Sequence, residues 1–362
     1  MFVRGTRRRA AFACAVLLAT VSTPIQTTHA QSTLERAIDR ARQVARAVRG
    51  GELREPDAES FRDVLATLDL EGVVPFEEEL IDLAWQRRGR GTRRESARPG
   101  GLTFRAERPV RQFVTYFSRG AGRRTFETGL RRSGLYRPLA EEIFREEGVP
   151  TDLIWLAQVE SLWKPWALSS ASAKGLWQFI PSTGRRFGLE RTHWTDERAD
   201  PYEATRAAAR YLKFLNRHFK GDWLLALAAY NAGEGAVGRA VKRTGRADFW
   251  HLYNRGALPR ETRNYVPAIL ATILIAREPD SYGIRAAPSR PWRFETADIR
   301  GKTDLRVVAE LCGESLDEVW QNNPELRRGV TPPGQYRLRL PHGSRNRFVA
   351  AYRRFDASEA RR

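Results

Sequence analysis

Glu160 is the residue of this sequence best placed to act as a general acid. Leu153, Leu156 and Ala157 lie seven, four and three residues before it, so a helix through this segment puts Glu160 on an apolar face. Pro165 stops the helical pattern and leaves Glu160 in the last turn. Burial and the negative end of the helix dipole both disfavour a carboxylate there. A carboxyl group that keeps its proton near neutral pH suits general acid catalysis, whereas a buried glutamate paired with an arginine is the structural alternative.

The segment that follows Glu160 combines uncharged hydrogen-bonding side chains with indole rings. No second acid occurs between Glu160 and Gln178. The small and polar residues are Ser161, Ser169, Ser170, Ser172, Gly175 and Gln178, and the indoles are Trp163, Trp166 and Trp177. Indole rings stack on the apolar faces of sugars, and polar groups bind their hydroxyl and amide groups. This composition predicts a carbohydrate site with a single acid.

Four stretches around this acid follow the spacing of a known enzyme family. They are Glu160-Ser161, Ser169, residues 175–178 (GLWQ) and residues 180–183 (IPST). Ser169 lies nine residues after Glu160, and Gln178 lies eighteen residues after it. The sequence therefore resembles the lytic transglycosylases with a goose-type lysozyme fold, in particular the branch of membrane-bound lytic murein transglycosylase D. The resemblance implies a mainly α, lysozyme-like catalytic domain, with Glu160 acting first as acid and then as base.

Two later stretches match the same family. Residues 229–233 (AYNAG) end an apolar helical pattern and contain Tyr230 and Asn231, and residues 261–266 (ETRNYV) contain Tyr265. The resemblance implies that Tyr230 positions the acid and the substrate and that Tyr265 lines the groove. It implies a substrate-binding set of Ser161, Ser169, Gly175, Trp177, Gln178, Tyr230, Asn231 and Tyr265. For both tyrosines the structural alternative is core packing with a satisfied hydroxyl group.

The implied reaction cleaves the β-1,4 bond between N-acetylmuramic acid and N-acetylglucosamine in peptidoglycan and leaves a 1,6-anhydro end. In it Ser169 orients the substrate N-acetyl group, while Gln178 and Tyr230 hold the acid and the sugar. Two other functions stay open. One is a hydrolase of the same fold that uses water, and the other is a non-catalytic wall-binding protein, which predicts loss of the acid or its partners.

Residues 1–30 have the pattern of a secretory signal. Four arginines lie within residues 4–9, and an apolar run covers residues 10–21 ahead of small residues at the cleavage site. That run is too short to span a membrane, and no other stretch reaches the necessary length. Cys14 lies too early for the lipid-anchored cysteine that the resembled branch often carries. We expect an exported, periplasmic chain that begins near Gln31, lacks a transmembrane helix and associates peripherally with the cell wall or outer membrane.

The chain is strongly basic. It has 62 lysines and arginines against 43 acidic residues, a formal net charge of +19. A basic exported protein suits anionic polymers such as peptidoglycan strands, although a solvated arginine-rich surface explains the same excess. Nucleic acid is disfavoured as a partner because the chain has an export signal and no nucleic-acid motif.

Neither a metal nor a cofactor is expected. His193, His218 and His251 share no ligand-like spacing, and no cysteine pairs with them. Glycine-rich stretches do not follow a predicted strand, so they do not indicate a phosphate-binding loop.

Helical periodicity predicts a helical N-terminal extension and a catalytic domain. The extension covers residues 31–101 and is expected to pack on the catalytic domain or to lengthen it. Its helices are predicted near residues 32–49, 61–70 and 76–87, and its loop at residues 89–101. The catalytic domain covers residues 102–282. Its early helices are predicted at residues 123–133 and 138–147, and Thr151, Asp200 and Asp222 are predicted N-caps.

The C-terminal part changes character after a Pro- and Arg-rich linker at residues 283–293. Residues 294–342 predict a strand, two short helices over residues 304–312 and 315–322, and a closing strand over residues 335–340. This order resembles a divergent LysM module, a β-α-α-β fold that binds N-acetylglucosamine polymers. The module is expected to supply affinity for the wall, and residues 343–362 are expected to form a frayed basic tail.

Overall fold

The computed structural model describes the backbone of residues 25–47 and 101–359, and the side chains of residues 33–45 and 101–355. Within these ranges the protein is mainly helical, which confirms the predicted fold class. Along the chain the α-helices are α1 Ile25–Ala47, α2 Arg108–Ser118, α3 Arg123–Glu146, α4 Leu156–Ser161, α5 Pro181–Arg186, α6 Pro201–His218, α7 Trp223–Ala232, α8 Glu234–Thr244, α9 Phe249–Asn254, α10 Arg260–Arg277, α11 Leu305–Cys312, α12 Leu316–Asn322 and α13 Arg345–Glu359. Short 3₁₀ turns span Thr151–Trp155, Glu197–Ala199 and Pro279–Tyr282.

A two-stranded antiparallel sheet lies near the C-terminus. It consists of β1 Phe294–Arg300 and β2 Gln335–Pro341, and Phe294 pairs with Pro341 at one end of the ladder. With α11 and α12 between the strands, this part has the predicted β-α-α-β order. Side chains of Asp304 and Ser315 cap the two helices as local N-cap chemistry requires.

The larger apolar core surrounds α10. Nearly every residue of this helix from Thr262 onward is buried, including Val266, Ile269, Leu270 and Ile273. A helix that is apolar on all sides belongs in the centre of a domain. It packs against α2, α7 and α4, and α4 carries the predicted acid, so the acid is held from the middle of the core.

A second apolar core joins both ends of the described chain. Ile38 and Ala41 of α1 are buried in one cluster with residues of the sheet, α11 and α13. The expectation that the N-terminal extension packs on the catalytic domain is therefore wrong for α1, which packs on the C-terminal module. The predicted frayed tail is also wrong: Phe348, Ala351 and Phe355 form one buried stripe of α13, because their spacing places them on one helix face.

Some helix boundaries follow from residues nearby in sequence, whereas others depend on packing with the rest of the fold. Asp200 and Asp222 cap α6 and α7 as predicted, by accepting hydrogen bonds from backbone amides in the first turn. Pro138, expected to open a helix, instead lies inside the continuous α3. Burial of Tyr136, Ala140 and neighbouring residues on one face offsets the cost of about 3 kcal/mol that an interior proline carries. The short helices α8 and α9 were not predicted.

Several expectations fall on residues without a described structure. The predicted helices over residues 61–70 and 76–87 and the loop before residue 101 lie outside the described ranges, as do the first 24 residues. Helix α1 begins at Ile25 and runs through the predicted cleavage position near Gln31. None of the described helices has the length and apolarity needed to cross a bilayer.

Candidate active site

A short helix and a strained turn place Glu160. The chain enters through the 3₁₀ turn Thr151–Trp155, and Thr151 makes no capping bond, contrary to prediction. Asp152 anchors the turn instead, since its carboxylate accepts a hydrogen bond from the Leu102 amide (2.7 Å) and pairs with Arg277 (2.6 Å). These contacts tie the start of the acid-bearing segment to α10, which ends at Arg277.

Helix α4 ends earlier than Pro165, the predicted stop. Leu162 and Trp163 both adopt left-handed backbone conformations, with φ of 53° and 60°. Such conformations cost about 1–3 kcal/mol each for residues with side chains and cluster at functional sites. The turn is held by Arg132, whose guanidinium donates to the Leu162 carbonyl (2.6 Å). Glu160 therefore lies one residue before the end of α4, in the last turn as predicted.

The Glu160 carboxyl group is fully buried and accepts a hydrogen bond from the Tyr265 hydroxyl. Burial favours the neutral acid, and a hydroxyl donor stabilises the carboxylate when it forms. Tyr265 lies on α10 and is itself 1% exposed. The structure thus gives Tyr265 a contact with the acid that the predicted groove-lining role did not include.

A hairpin-like loop over residues 167–179 lies beside the acid. Lys174 and Phe179 exchange two backbone hydrogen bonds of 3.1 Å, and the Gly175 amide donates to the Ala167 carbonyl (2.9 Å). Gly175 has a φ of +89°, and a Cβ there would lie 1.7 Å from the carbonyl oxygen of Arg198. Backbone conformation and close packing both require glycine at this position of the motif. We call residues 167–179 the site loop.

Three of the predicted polar residues support the site loop. Ser161 donates to the Leu176 carbonyl (2.8 Å), and the Ser169 hydroxyl accepts from the Ala173 amide (3.1 Å). The Gln178 amide nitrogen donates to the carbonyls of Ala167 (3.1 Å) and Gly175 (2.9 Å). Together these bonds fix the loop against the end of α4.

Gln178 is not bonded to Glu160, contrary to its predicted role. Its Oε1 is buried and has no hydrogen-bond partner among the described residues. Its backbone is left-handed as well, with a φ of 48°. A buried acceptor without a partner carries a desolvation cost that a donor from a bound molecule would remove. The Gln178 Oε1 is therefore an unsatisfied acceptor of the site loop in this structure.

Trp163 and Trp177 lie in the core and cannot stack on a sugar. Both side chains are 0% exposed. Trp177 stacks on Phe144 at 5.2 Å between ring centroids, and its Nε1 donates to the Thr205 hydroxyl (2.9 Å). The predicted sugar contact of Trp177 is therefore wrong, because the indole fills the space beneath the loop. The large apolar side chains that are exposed around the loop are those of Leu168 and Ile180.

Tyr230 and Asn231 connect the site loop and α10 to the end of α7. The Tyr230 hydroxyl donates to the Trp177 carbonyl (2.9 Å). Asn231 donates to Glu261 (2.7 Å) and accepts from the Thr262 hydroxyl (2.7 Å), which joins the end of α7 to the first turn of α10. Both predicted residues lie close to the acid-bearing core, where Tyr230 bonds to the site loop and Asn231 bonds to side chains of α10.

The sequence interpretation missed Arg198. Its buried guanidinium forms a double contact with Asp196 (2.9 and 2.7 Å) and donates to the site-loop carbonyls of Ser172 (2.7 Å) and Phe179 (2.9 Å). Burial alone would raise the pKa of Asp196, but the hydrogen bond and charge of Arg198 outweigh burial and lower it. Arginine and aspartate two residues apart give no sequence signal, since only the fold brings this pair to the loop.

The described side chains, those of residues 33–45 and 101–355, form no candidate metal site. No group of three or more histidine, cysteine, aspartate or glutamate side chains there could hold an ion.

Two protein families match separate parts of the chain. Residues 139–253 match the Transglycosylase SLT domain, and residues 293–357 match the LysM-like domain of Lytic transglycosylase MltD. The first match contains the acid, the site loop and Arg198. The second contains both strands with α11 and α12.

Individual proteins that are similar to this chain are also described as transglycosylases. Membrane-bound lytic murein transglycosylase D of Escherichia coli is 39% identical over 180 residues, which are 48% of this chain and 39% of that protein. A peptidoglycan transglycosylase of Escherichia phage T7 is 34% identical over 140 residues, 38% of this chain and 10% of that protein. The chain thus matches well under half the length of these relatives.

The crystal structure of the 70 kDa soluble lytic transglycosylase of Escherichia coli is a more distant neighbour. It is 17% identical with a TM-score of 0.37, and the match covers 72% of this chain and 46% of that chain. Residues of the first family match belong to the larger apolar core, which also includes α2 and α10 outside the match. Residues of the second match belong to the second core, which also includes α1. Residues 139–253 are therefore a transglycosylase SLT domain, and residues 293–357 are a LysM-like domain of the MltD type.

Proposed function

We propose that the protein is a peptidoglycan lytic transglycosylase. It cleaves the β-1,4 bond between N-acetylmuramic acid and N-acetylglucosamine and forms a 1,6-anhydro end on the muramic residue. The observation that carries this proposal is the fully buried Glu160, which is bonded to the Tyr265 hydroxyl at the edge of the site loop. Both residues belong to motifs that the family resemblance singles out.

A single carboxyl group has to serve both proton transfers. Most glycosidases use two carboxyl groups, one as acid and one as nucleophile or base. In the proposed reaction Glu160 donates its proton to the glycosidic oxygen, and the bond from that oxygen to C1 breaks. The substrate N-acetyl group stabilises the positive charge at C1. The Glu160 carboxylate then takes the proton of the C6 hydroxyl group, and O6 bonds to C1, so no water is consumed.

The surrounding groups have matching roles in this proposal. The Tyr265 hydroxyl holds the carboxylate between the two proton transfers, when it is charged. The free Oε1 of Gln178 accepts a hydrogen bond from the sugar, and Ser169 orients the N-acetyl group. Ser161, Gly175, Tyr230 and Asn231 fix the backbone on which these groups stand.

A hydrolase with the same acid is the second candidate. It needs a base that activates water, and no acid lies between Glu160 and Gln178, within the site loop and its approach. The single acid therefore favours intramolecular attack by the substrate. A non-catalytic wall-binding protein is disfavoured, because the acid and its hydroxyl partner are both present.

The proposal includes the place of action. The arginine-rich start and apolar run of residues 4–21 support export, and peptidoglycan is the polymer that a periplasmic enzyme of this kind would meet. The net charge of +19 supports attraction to the anionic wall.

Mass spectrometry of products from purified peptidoglycan sacculi tests the proposal. The wild type should release fragments lighter by one water than hydrolysis products. Glu160→Gln keeps the shape but cannot transfer protons, so it should lose at least about 10²–10⁴-fold of the activity. Glu142→Gln, at an exposed position of α3, is the matched control and should match the wild type. Products with ordinary reducing ends would assign the protein to the hydrolases, and an active Glu160→Gln variant would remove Glu160 as the acid.

A further inference from the structure

The LysM-like domain pairs directly with a backbone segment of the SLT domain. The segment is residues 192–200, which we call the bridge segment. The Asp196 amide donates to the Glu325 carbonyl (2.8 Å), and the Arg327 amide donates to the Trp194 carbonyl (2.9 Å). Thr195 and Leu326 form an antiparallel bridge between these bonds. The two domains therefore share a short strand-like pairing, which a flexible tether would not produce.

A buried charge cluster reinforces this pairing. Arg339 of β2 bonds to Glu325 in its own domain (2.9 Å) and forms an ion pair with Asp200 of the bridge segment. The side chains of Asp200 and Glu325 are 6% and 7% exposed, and that of Arg339 is 16% exposed. Arg339 also lies over the ring of Trp292. One arginine thus bonds to two carboxyl groups that have almost no access to water, so its removal takes the cationic partner from both.

The bridge segment in turn holds the site loop. Arg198 lies between Asp196 and Asp200, which both contact the LysM-like domain. Its guanidinium donates to the Ser172 and Phe179 carbonyls, which lie on the site loop. Its own carbonyl oxygen packs against the Cα of Gly175, where a side chain would not fit. A displacement of the bridge segment therefore has to displace the site loop.

We propose that the LysM-like domain positions the active site, in addition to any affinity that it gives for the wall. Contacts of Arg339 and the Glu325–Arg327 stretch fix the bridge segment, and Arg198 transmits that position to the site loop. The effect on activity rests on the proposed transglycosylase function. The coupling between the domains does not, since it is a property of the structure. Arg198, Asp200 and Arg339 are positioning residues, because none of them touches Glu160.

Hydrogen exchange in the full-length protein tests the coupling without reference to activity. Arg339→Gln should speed exchange of the amides of residues 167–179, while amides in the middle of α10 keep their rates. The matched control is Arg337→Gln, because Arg337 lies on the same strand, is exposed and pairs with Asp298 inside the LysM-like domain. That variant should leave the site loop unchanged. Unchanged exchange of the site loop in Arg339→Gln would overturn the proposal.

A milder variant covers the case in which Arg339→Gln destabilises the whole protein. Arg327→Gln removes only the bond from the Arg327 guanidinium to the Thr192 carbonyl (2.7 Å), at a half-buried surface position. It should speed exchange in the site loop by a smaller factor. If this variant exchanges uniformly faster in α10 and the site loop alike, the contact is merely structural and the proposal fails.

Kinetics on a soluble peptidoglycan oligomer then test the consequence for the reaction. We expect Arg339→Gln to lower kcat by about tenfold with little change in KM, since misplacing a positioned group can cost up to about 10²-fold. Arg339→Lys keeps the charge and should recover part of kcat. A change confined to KM would contradict a positioning role. If the wild type cleaves nothing, the proposed function fails, while the exchange result still decides whether the domains are coupled.

Discussion

Replacing Tyr265 with phenylalanine removes one hydroxyl group from the centre of the site. The Tyr265 ring is 1% exposed and donates its hydroxyl hydrogen to Glu160. Phenylalanine fills the same space, so the core should keep its packing. The lost bond matters most when Glu160 is a carboxylate, in the stage between the two proton transfers. A hydrogen bond to a charged group contributes about 1.5–3 kcal/mol, which corresponds to about 10- to 100-fold in rate.

The assay is the steady-state release of anhydro products from a soluble peptidoglycan oligomer. Tyr265→Phe should lower kcat by about that factor and leave KM nearly unchanged, because the hydroxyl contacts the acid. Tyr136→Phe is the matched control, since Tyr136 is also buried but packs against Trp292, away from Glu160. It should retain wild-type kcat. Full activity in Tyr265→Phe, with a thermal midpoint equal to that of the wild type, would refute the assigned role of the hydroxyl group.

Two further predictions follow from the packing of single residues. Gly175→Ala should lower the free energy of unfolding by at least about 1–3 kcal/mol, because alanine is strained in this backbone conformation. The added Cβ would also clash with the Arg198 carbonyl oxygen. Thermal denaturation measures the loss of stability. Burial raises the pKa of the Cys312 thiol to about 12, so alkylation of the folded protein at pH 8 should be slow and should accelerate as pH rises toward 12. Unfolding should restore the rate of an ordinary thiol, and rapid alkylation of the folded protein would contradict the buried position.

Local signals predicted much of the helical framework. Asp200 and Asp222 cap helices as predicted, because a side-chain oxygen beside the first turn satisfies free amides, and that chemistry depends only on neighbours in sequence. The alternating strand over residues 335–340 was visible for the same reason. Helix α13 was missed because the tail is rich in arginine, with four of them within residues 345–354, and only the second core explains why its apolar residues are buried.

The site itself was predicted in composition but only partly in arrangement. The motif identified Glu160, Ser161, Gly175 and Gln178, which all lie together beside the end of α4. Sequence could not tell that the hydroxyl bonded to the acid belongs to Tyr265, 105 residues away, because helix packing decides it. Trp177 was misassigned for a related reason, since an indole suits a sugar surface and a protein core equally well.

Sequence patterns could not predict how the two domains dock. Nothing local distinguishes Arg339 from Arg337, which lies two residues earlier on the same strand. One has its guanidinium in a buried ion pair with Asp200, and the other is exposed. Strand alternation does not separate them either, because both side chains lie on the same face of β2. Their difference comes only from the position of the bridge segment.

The central claim is that the substrate, and not water, attacks C1 after Glu160 has protonated the leaving oxygen. The most direct measurement is digestion of purified sacculi in water enriched in heavy oxygen, followed by mass spectrometry of the released muropeptides. The account predicts anhydro ends with no heavy oxygen in the wild type and no products from Glu160→Gln. Incorporation of one heavy oxygen atom at C1 of each new muramic end would contradict it and would establish hydrolysis.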